Sequence, residues 1–242
     1  MHTPRIYYPG ELNENTIVSL DESKSHHLLN VFRTSIGSHV ILFNGNRREY
    51  FGTLHAISQK RADIQIHSVT PCRTESPVYI ELGQGISRGE RMDFAIQKSV
   101  ELGVAELTPL FTEQCTVKLS GSRLEKRLQH WRAIIIGTCE QTGRCEIPKL
   151  NNPMRLENWI QQKREGQRFI CDTDATMRIN EYPNHSKKVT LLIGPEGGLN
   201  DNEIQAAKRE AFQQLSLGPR ILRTETAPVV ALALIQNHYG DC

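Results

Sequence analysis

The pattern of apolar and polar positions changes once along the chain, near residue 74. Before that point short runs dominate. "HVILFNGNRREYF" (39–51) sets two apolar runs around Asn44-Gly45-Asn46, a hairpin signature. "ADIQIHSV" (62–69) alternates, with Ala62, Ile64 and Ile66 on one face and Asp63, Gln65 and His67 on the other. One helical piece, from about Asp21 to Phe32, interrupts these strands. Several short strands with one helix predict a small barrel. "TPCRTESP" (70–77) carries two prolines among polar residues and marks the boundary.

Beyond it the period lengthens. "VYIELG" (78–83) reads as a strand and "SRGERMDFAIQKSVELG" (87–103) as a helix. There Met92, Ile96 and Val100 repeat every four residues, Ser87 and Glu90 form a candidate capping box, and Gly103 is a stop. "ELTPLF" (106–111) is the next strand. Ser122 and Glu125 offer a second capping box for a helix with Leu124, Leu128, Trp131 and Ile135 on one side. Arg123, Lys126, Arg127 and His130 lie largely elsewhere on it. "MRLENWIQQK" (154–163) reads as a short helix and "RFICD" (168–172) as a strand. "VTLLIG" (189–194), "DNEIQAAKREAF" (201–212), "QQLSLG" (213–218) and "APVVALALIQNHY" (227–239) then alternate strand, helix, strand, helix. This order predicts an α/β domain whose largely parallel sheet is covered by helices on both faces.

Composition narrows the class. The 242 residues suffice for a sizeable core, and 38% hydrophobic with 23% charged residues fits a soluble globular protein. A net charge of +2 is too small to imply nucleic-acid binding, and a pI of about 8.2 does not oppose it. "MHTPRIYYPG" has no apolar core of a signal peptide, and the apolar run from Val229 to Ile235 is too short for a bilayer. The six cysteines therefore read as reduced thiols of a cytoplasmic protein. None forms a C-x-x-C pair, and Cys139 with Cys145 has no second ligand pair nearby, so no metal site is expected. His26 and His27 read as helix surface.

Two strand ends carry the candidate chemistry. Gly194-Pro195 ends one strand and Gly218-Pro219 ends the next, and we read these strands as adjacent. Ligands bind outside the carboxyl ends of parallel strands, so both loops should face one crevice. No G-x-G-x-x-G follows a first strand and no G-x-x-x-x-G-K-[ST] occurs, which disfavours nicotinamide and Walker nucleotide sites. Glu196 in the first loop would repel a polyphosphate. A carboxylate suits a ligand with hydroxyls or positive charge, and S-adenosylmethionine has a ribose diol, an ammonium and a sulfonium but no phosphate. The alternative is that Glu196 faces solvent or caps the following helix.

"LLIGPEGG" followed by "LGPRILRTETA" resembles the paired signature of the bacterial 16S ribosomal RNA (uracil-N3)-methyltransferases, the RsmE family of the SPOUT class. "PRIYYP", "HHLLNVFR", "FNG", "SRGERMDFAIQKSVELGV", "TPLFTEQC" and "EQTGR" follow that family's order, so the resemblance covers nearly the whole chain. Gln114 departs from it, standing where an arginine is frequent.

The resemblance implies a PUA-like RNA-binding β-barrel over 1–73 and a SPOUT methyltransferase domain over 74–242 with a deep trefoil knot. It implies a homodimer, S-adenosyl-L-methionine as cofactor, and 16S rRNA in the 30S subunit as substrate, without metal or membrane. The cofactor loops become Ile193, Gly194, Pro195, Glu196, Gly197 and Gly198, then Leu217, Gly218, Ile221, Leu222 and Arg223, with Thr226 leading into the last helix and Asp172 on a third wall. Uridine N3 must lose its proton, helped by a general base or by cations that stabilise the anion. It lies on the Watson–Crick edge, so the target base is unpaired or flipped out. Arg223 and Arg144 are the candidate catalytic residues, with Glu140 orienting Arg144; the alternative for Arg223 is a salt bridge to Glu225. The base stays unassigned. Arg5, Arg33, Arg47, Arg48, Lys60, Arg61 and Arg220 are candidate RNA contacts. Two rivals stand beside this: a SPOUT enzyme acting on ribose 2′-O or another base, and an RNA-binding assembly factor without turnover.

Overall fold

The computed structural model describes residues 3–117, 119–183 and 186–242. They form two compact units. One is the chain up to Glu75 together with Cys139–Ile147, and the other is Ser76–Thr138 with Pro148–Cys242.

In the first unit the strands are β1 (Arg5–Tyr7), β2 (Ile17–Ser19), β3 (His39–Phe43), β4 (Arg48–Ser58) and β5 (Arg61–Pro71), in sheet order β1-β3-β4-β5-β2. β1 runs parallel to β3 and the other pairs are antiparallel. The alternation in β5 is realised: Ala62, Ile64 and Ile66 are buried beside Leu42, Leu54 and Leu28. The β4–β5 turn has positive φ at Gln59 and Lys60, the geometry that matches a hairpin's twist. The expected helix is split into α1 (Glu22–His26) and a π-helical turn (His27–Val31). Asp21 caps α1 by accepting from the Lys24 amide at 2.8 Å.

A division at residue 74 does not anticipate the inclusion of Cys139–Ile147. One carboxylate organises that segment. Glu75 accepts from the Cys145 and Glu146 amides, each at 2.9 Å, and pairs with Arg144 at 2.8 Å.

In the second unit the elements are β6 (Tyr79–Gly85), α2 (Glu90–Glu101), β7 (Glu106–Phe111), α3 (Gly121–Thr142, its last turn in the other unit), β8 (Lys149–Leu150), β9 (Met154–Arg155), α4 (Leu156–Ile160), β10 (Gln167–Cys171), β11 (Lys188–Ile193), α5 (Asp201–Arg209), β12 (Gln213–Leu215) and α6 (Thr226–Tyr239). The sheet order is β12-β10-β11-β6-β7-β8, with β9 also on β7, and the recorded pairings are parallel. β11 is buried along its length after Lys188, as a central parallel strand covered on both faces must be. Leu110, Trp159, Ile170, Leu192 and Phe212 form one core cluster there.

Three expectations change. β11 and β12 are not neighbours, because β10 lies between them. Ser87 does not cap α2: Gly89 is the cap residue, and the Ser87 hydroxyl bonds Gly85 O at 3.3 Å and Thr224 Oγ1 at 3.2 Å. α3 starts at Gly121, so Ser122 lies inside the helix rather than before it.

Candidate functional site

Three loops leave the carboxyl ends of β10, β11 and β12, and together they line a cavity of about 670 Å³. That volume lies within the range of small-molecule sites, about 300–1,000 Å³. The cavity belongs wholly to the second unit.

The β11 loop turns at once, with the Gly198 amide donating to Pro195 O at 2.9 Å. Gly198 (φ 73°) and Gly218 (φ 103°) sit in the left-handed region that glycine adopts without strain. At both positions a Cβ would meet nothing within 4 Å, so the backbone faces open space where a ligand can approach. Gly197 differs: a Cβ there would meet the Gln114 side chain at 2.9 Å.

Thr224 ties the loops together. Its buried hydroxyl donates to Gly194 O at 2.8 Å and lies 3.2 Å from both Gln84 Nε2 and Ser87 Oγ. On the β10 side, Asp172 accepts from the Asp174 amide at 3.1 Å and from Gln214 Nε2.

Glu196 neither caps the following helix nor stands alone. Asn200 caps α5, in a reciprocal box with Glu203. Glu196 Oε1 accepts from the Arg88 amide at 2.8 Å and from Arg91 Nη1 at 3.2 Å, so it fastens the glycine loop to the start of α2. Desolvation pushes its pKa up, but the Arg88 amide and the Arg91 guanidinium outweigh that and hold it below the ordinary carboxylate value.

The expected cofactor residues Ile193, Gly194, Pro195, Glu196, Gly197, Gly198, Leu217, Gly218, Ile221, Leu222, Arg223 and Asp172 all line the cavity. Thr226 does not, while Ala227 does. Arg220, expected on RNA, lines it too. Ile221 and the Arg223 side chain are 86% and 81% exposed, so the tip of the β12 loop is open. Sequence reasoning missed Arg91, which reaches the site from α2. Glu225, expected as the alternative partner of Arg223, also lines the cavity and lies 4.0 Å from that arginine's guanidinium. Five carboxylates (Asp172, Asp174, Glu196, Asp201, Glu225) face three arginines (Arg91, Arg220, Arg223) around the cavity. That balance suits a ligand with cationic groups and hydroxyls better than a polyphosphate.

The other expected site residues belong to the first unit. Arg144 is buried and paired with Glu75, whereas Glu140 accepts from the Tyr7 amide at 2.9 Å and from Lys24 Nζ at 2.5 Å. Glu140 thus serves β1 and α1. Arg5 is buried as well. It bonds Glu49, Gly143 O at 2.9 Å and Cys145 Sγ at 3.5 Å, and so presents no open fork to a phosphate. Arg33, Arg47, Arg48, Lys60 and Arg61 are exposed, Arg47 with an ion pair to Glu146.

Glu49, Cys72 and Cys145 bring ligand-type atoms within 4.8 Å of one another, and the Arg5 guanidinium donates into that group. Burial pushes the Cys139 thiol up to about 12 and raises that of Cys145 too, so both stay protonated near neutrality. Among the described residues no helix is long and apolar enough to cross a membrane.

Comparison with known proteins bears on this arrangement. An RNA methyltransferase domain family matches residues 74–236, and an RNA methyltransferase PUA domain family matches residues 20–66. Ribosomal RNA small subunit methyltransferase E from Buchnera aphidicola (subsp. Schizaphis graminum) is 38% identical, over 98% of this chain and 97% of that protein. A protein from Legionella pneumophila, solved in complex with the bound cofactor SAM, superposes with a TM-score of 0.96 at 40% identity, covering 100% of both chains. Ribosomal RNA small subunit methyltransferase E from Neisseria gonorrhoeae, bound to S-adenosylmethionine, gives 0.93 at 36% identity over 99% of each chain.

Proposed function

We propose, from the premise that this chain belongs to the ribosomal RNA small subunit methyltransferase E family, that it transfers a methyl group from S-adenosylmethionine to N3 of one uridine in 16S ribosomal RNA of the 30S subunit. The observation that carries this is the three-loop cavity, in a chain that superposes over nearly its whole length on relatives solved with that cofactor. Bound there, S-adenosylmethionine supplies an electrophilic methyl carbon on a sulfonium.

The residues present fit it. Ile193 to Gly198, Leu217, Gly218 and Arg220 to Arg223 line the cavity, with backbone open at Gly198 and Gly218 and carboxylates facing the space its hydroxyls and ammonium would fill. Arg223, at the open tip, stands ready to stabilise the pyrimidine oxygens as N3 loses its proton. Arg144 takes a positioning role through Glu75. The PUA-like unit holds RNA through Arg47, Arg48, Lys60 and Arg61.

The finer points are a trefoil knot, a homodimer and a cytoplasmic location. Half-buried Val229, Val230 and Leu234, beside the buried Ala231, Leu232 and Ile235 of α6, support the dimer, since a helix apolar on several sides needs several partners. Light scattering giving a monomer mass at micromolar concentration would refute it.

The function is tested by nucleoside analysis of 16S rRNA from cells lacking the protein, where 3-methyluridine should disappear. Calorimetry should detect S-adenosylmethionine binding and none for ATP or NAD. An unchanged nucleoside profile, or tight ATP binding without S-adenosylmethionine binding, would overturn the assignment.

A further inference from the structure

On the methyltransferase function proposed above, the proton on uracil N3 needs an acceptor, and we propose that Glu225 is that acceptor and the residue that selects uracil. Of the five carboxylates around the cavity, four are already served. Asp172 accepts from Asp174 and Gln214, and Glu196 from Arg88 and Arg91. Asp174 and Asp201 are exposed, where water hydrates them.

Glu225 differs. Its side chain is 15% exposed, and Oε2 is buried without a hydrogen-bond donor among the described residues. Its recorded ion-pair partner is Arg223 Nη1, 4.0 Å from the other oxygen, Oε1. It occupies the cap position of α6, yet its side chain makes no capping bond. A buried acceptor without a donor is costly, and a ligand that brings a donor removes that cost.

The pair Arg223 and Glu225 matches one base edge. Uracil presents O2, N3–H and O4, which is acceptor, donor, acceptor. Glu225 accepts from N3–H while Arg223 donates to a flanking carbonyl. Cytosine has no proton on N3, so its lone pair would face the carboxylate and Oε2 would stay unpaired, a strong ground for rejection. The proton passes from N3 to Oε2. The N3 lone pair forms the bond to the methyl carbon as the carbon–sulfur bond breaks, and that electron pair stays on sulfur. The protonated Glu225 then releases its proton to water.

The test is Glu225→Gln, which keeps shape but removes the base. Calorimetry should give S-adenosylmethionine affinity within about 2-fold of wild type, while single-turnover methylation of unmodified 30S subunits falls about 10²–10⁴-fold. The residual rate should climb between about pH 6.5 and 9, as solvent takes over deprotonation. Particles carrying 5-fluorouridine, whose N3–H is more acidic, should recover much of the loss. Glu225→Asp, which retains an acceptor, should keep part of the rate and the wild-type pH profile. It decides the matter if the glutamine variant fails to fold.

A wild-type rate in Glu225→Gln, or a loss indifferent to pH and to fluorine, would overturn the proposal. So would a 10-fold or larger loss of cofactor affinity with the saturated rate preserved, which would make Glu225 the holder of the cofactor's ammonium. If both proteins form 3-methyluridine equally, this inference alone falls; if wild type forms none, the underlying function falls and this inference with it.

Discussion

Replacing Gly85 by alanine would set a methyl carbon 2.4 Å from Pro195 N, 2.6 Å from Pro195 Cδ and 2.7 Å from Gly194 C. Ordinary contact begins at 3.4 Å, so something must retreat by about 1 Å. β6 is the stiffer side. Gly85 pairs with Leu110, the Ile86 amide donates to Leu110 O at 3.0 Å, and Gly85 O accepts from Gln84 and Ser87. The loop at Gly194–Pro195 therefore moves, and it is a wall of the cavity. Overpacking of this kind costs about 1–3 kcal/mol, seen as a melting shift of about 2–4 °C per kcal/mol at this chain length.

The displaced wall should weaken S-adenosylmethionine binding by about tenfold, or ~1.4 kcal/mol. Gly83→Ala is the matched control. It lies two residues earlier on the same face of β6, and its Cβ would strike the Trp159 ring at 2.5 Å instead of the loop. It should cost similar stability and leave affinity within about 2-fold. Scanning calorimetry and titration calorimetry on both variants decide the matter. Native affinity in Gly85→Ala, or equal losses of affinity in both variants, would refute the reasoning.

Glu196→Gln tests the latch between the glycine loop and α2. Because the folded carboxyl titrates below its ordinary value, its stabilisation is full above the unfolded pKa and disappears as pH falls through the folded one. Wild type should thus lose more denaturant resistance than the variant when taken from neutrality into the carboxylate range, and parallel losses would contradict this. Arg144→Ala removes one partner of a buried pair and should destabilise the first unit by about 3–5 kcal/mol. A normal melt with methylation abolished would instead make Arg144 a direct contact. Replacing Arg47, Arg48, Lys60 and Arg61 together by alanine should weaken 30S binding and flatten its salt dependence while leaving cofactor affinity unchanged. An unchanged salt slope would place the RNA surface elsewhere.

What was legible in the sequence was local. The hairpin at Asn44-Gly45-Asn46, the alternation of Ala62, Ile64 and Ile66, and the strand "VTLLIG" breaking at Gly194-Pro195 all depend on neighbours a few residues apart, and each stands where the pattern put it. What failed needed a partner far along the chain. Ser87 fits a capping box by spacing, but Thr224, 137 residues away, engages its hydroxyl. Arg5 reads as a surface cation, but Glu49 and the 143–145 segment enclose it. Strand adjacency is also non-local, so β10 could not be seen to part the two Gly-Pro strands.

The glutamate in the glycine loop shows how the two levels meet. By residue type alone Glu196 argues against a phosphate and for a cationic or hydroxylated ligand. In the fold its Oε1 is bound to Arg88 and Arg91, so the residue shapes the cavity at least as much as it offers an acceptor to a ligand. The same holds for Asp172 through Gln214. An acidic cavity is thereby sorted into carboxylates that hold the walls, the exposed Asp174 and Asp201, and one, Glu225, with a buried oxygen left for a donor from outside. Counting acids on a loop cannot make that distinction. Asking where each oxygen's hydrogen bonds go can, because a buried cavity-lining carboxylate oxygen that the chain leaves unserved is one that a ligand's donor would stabilise.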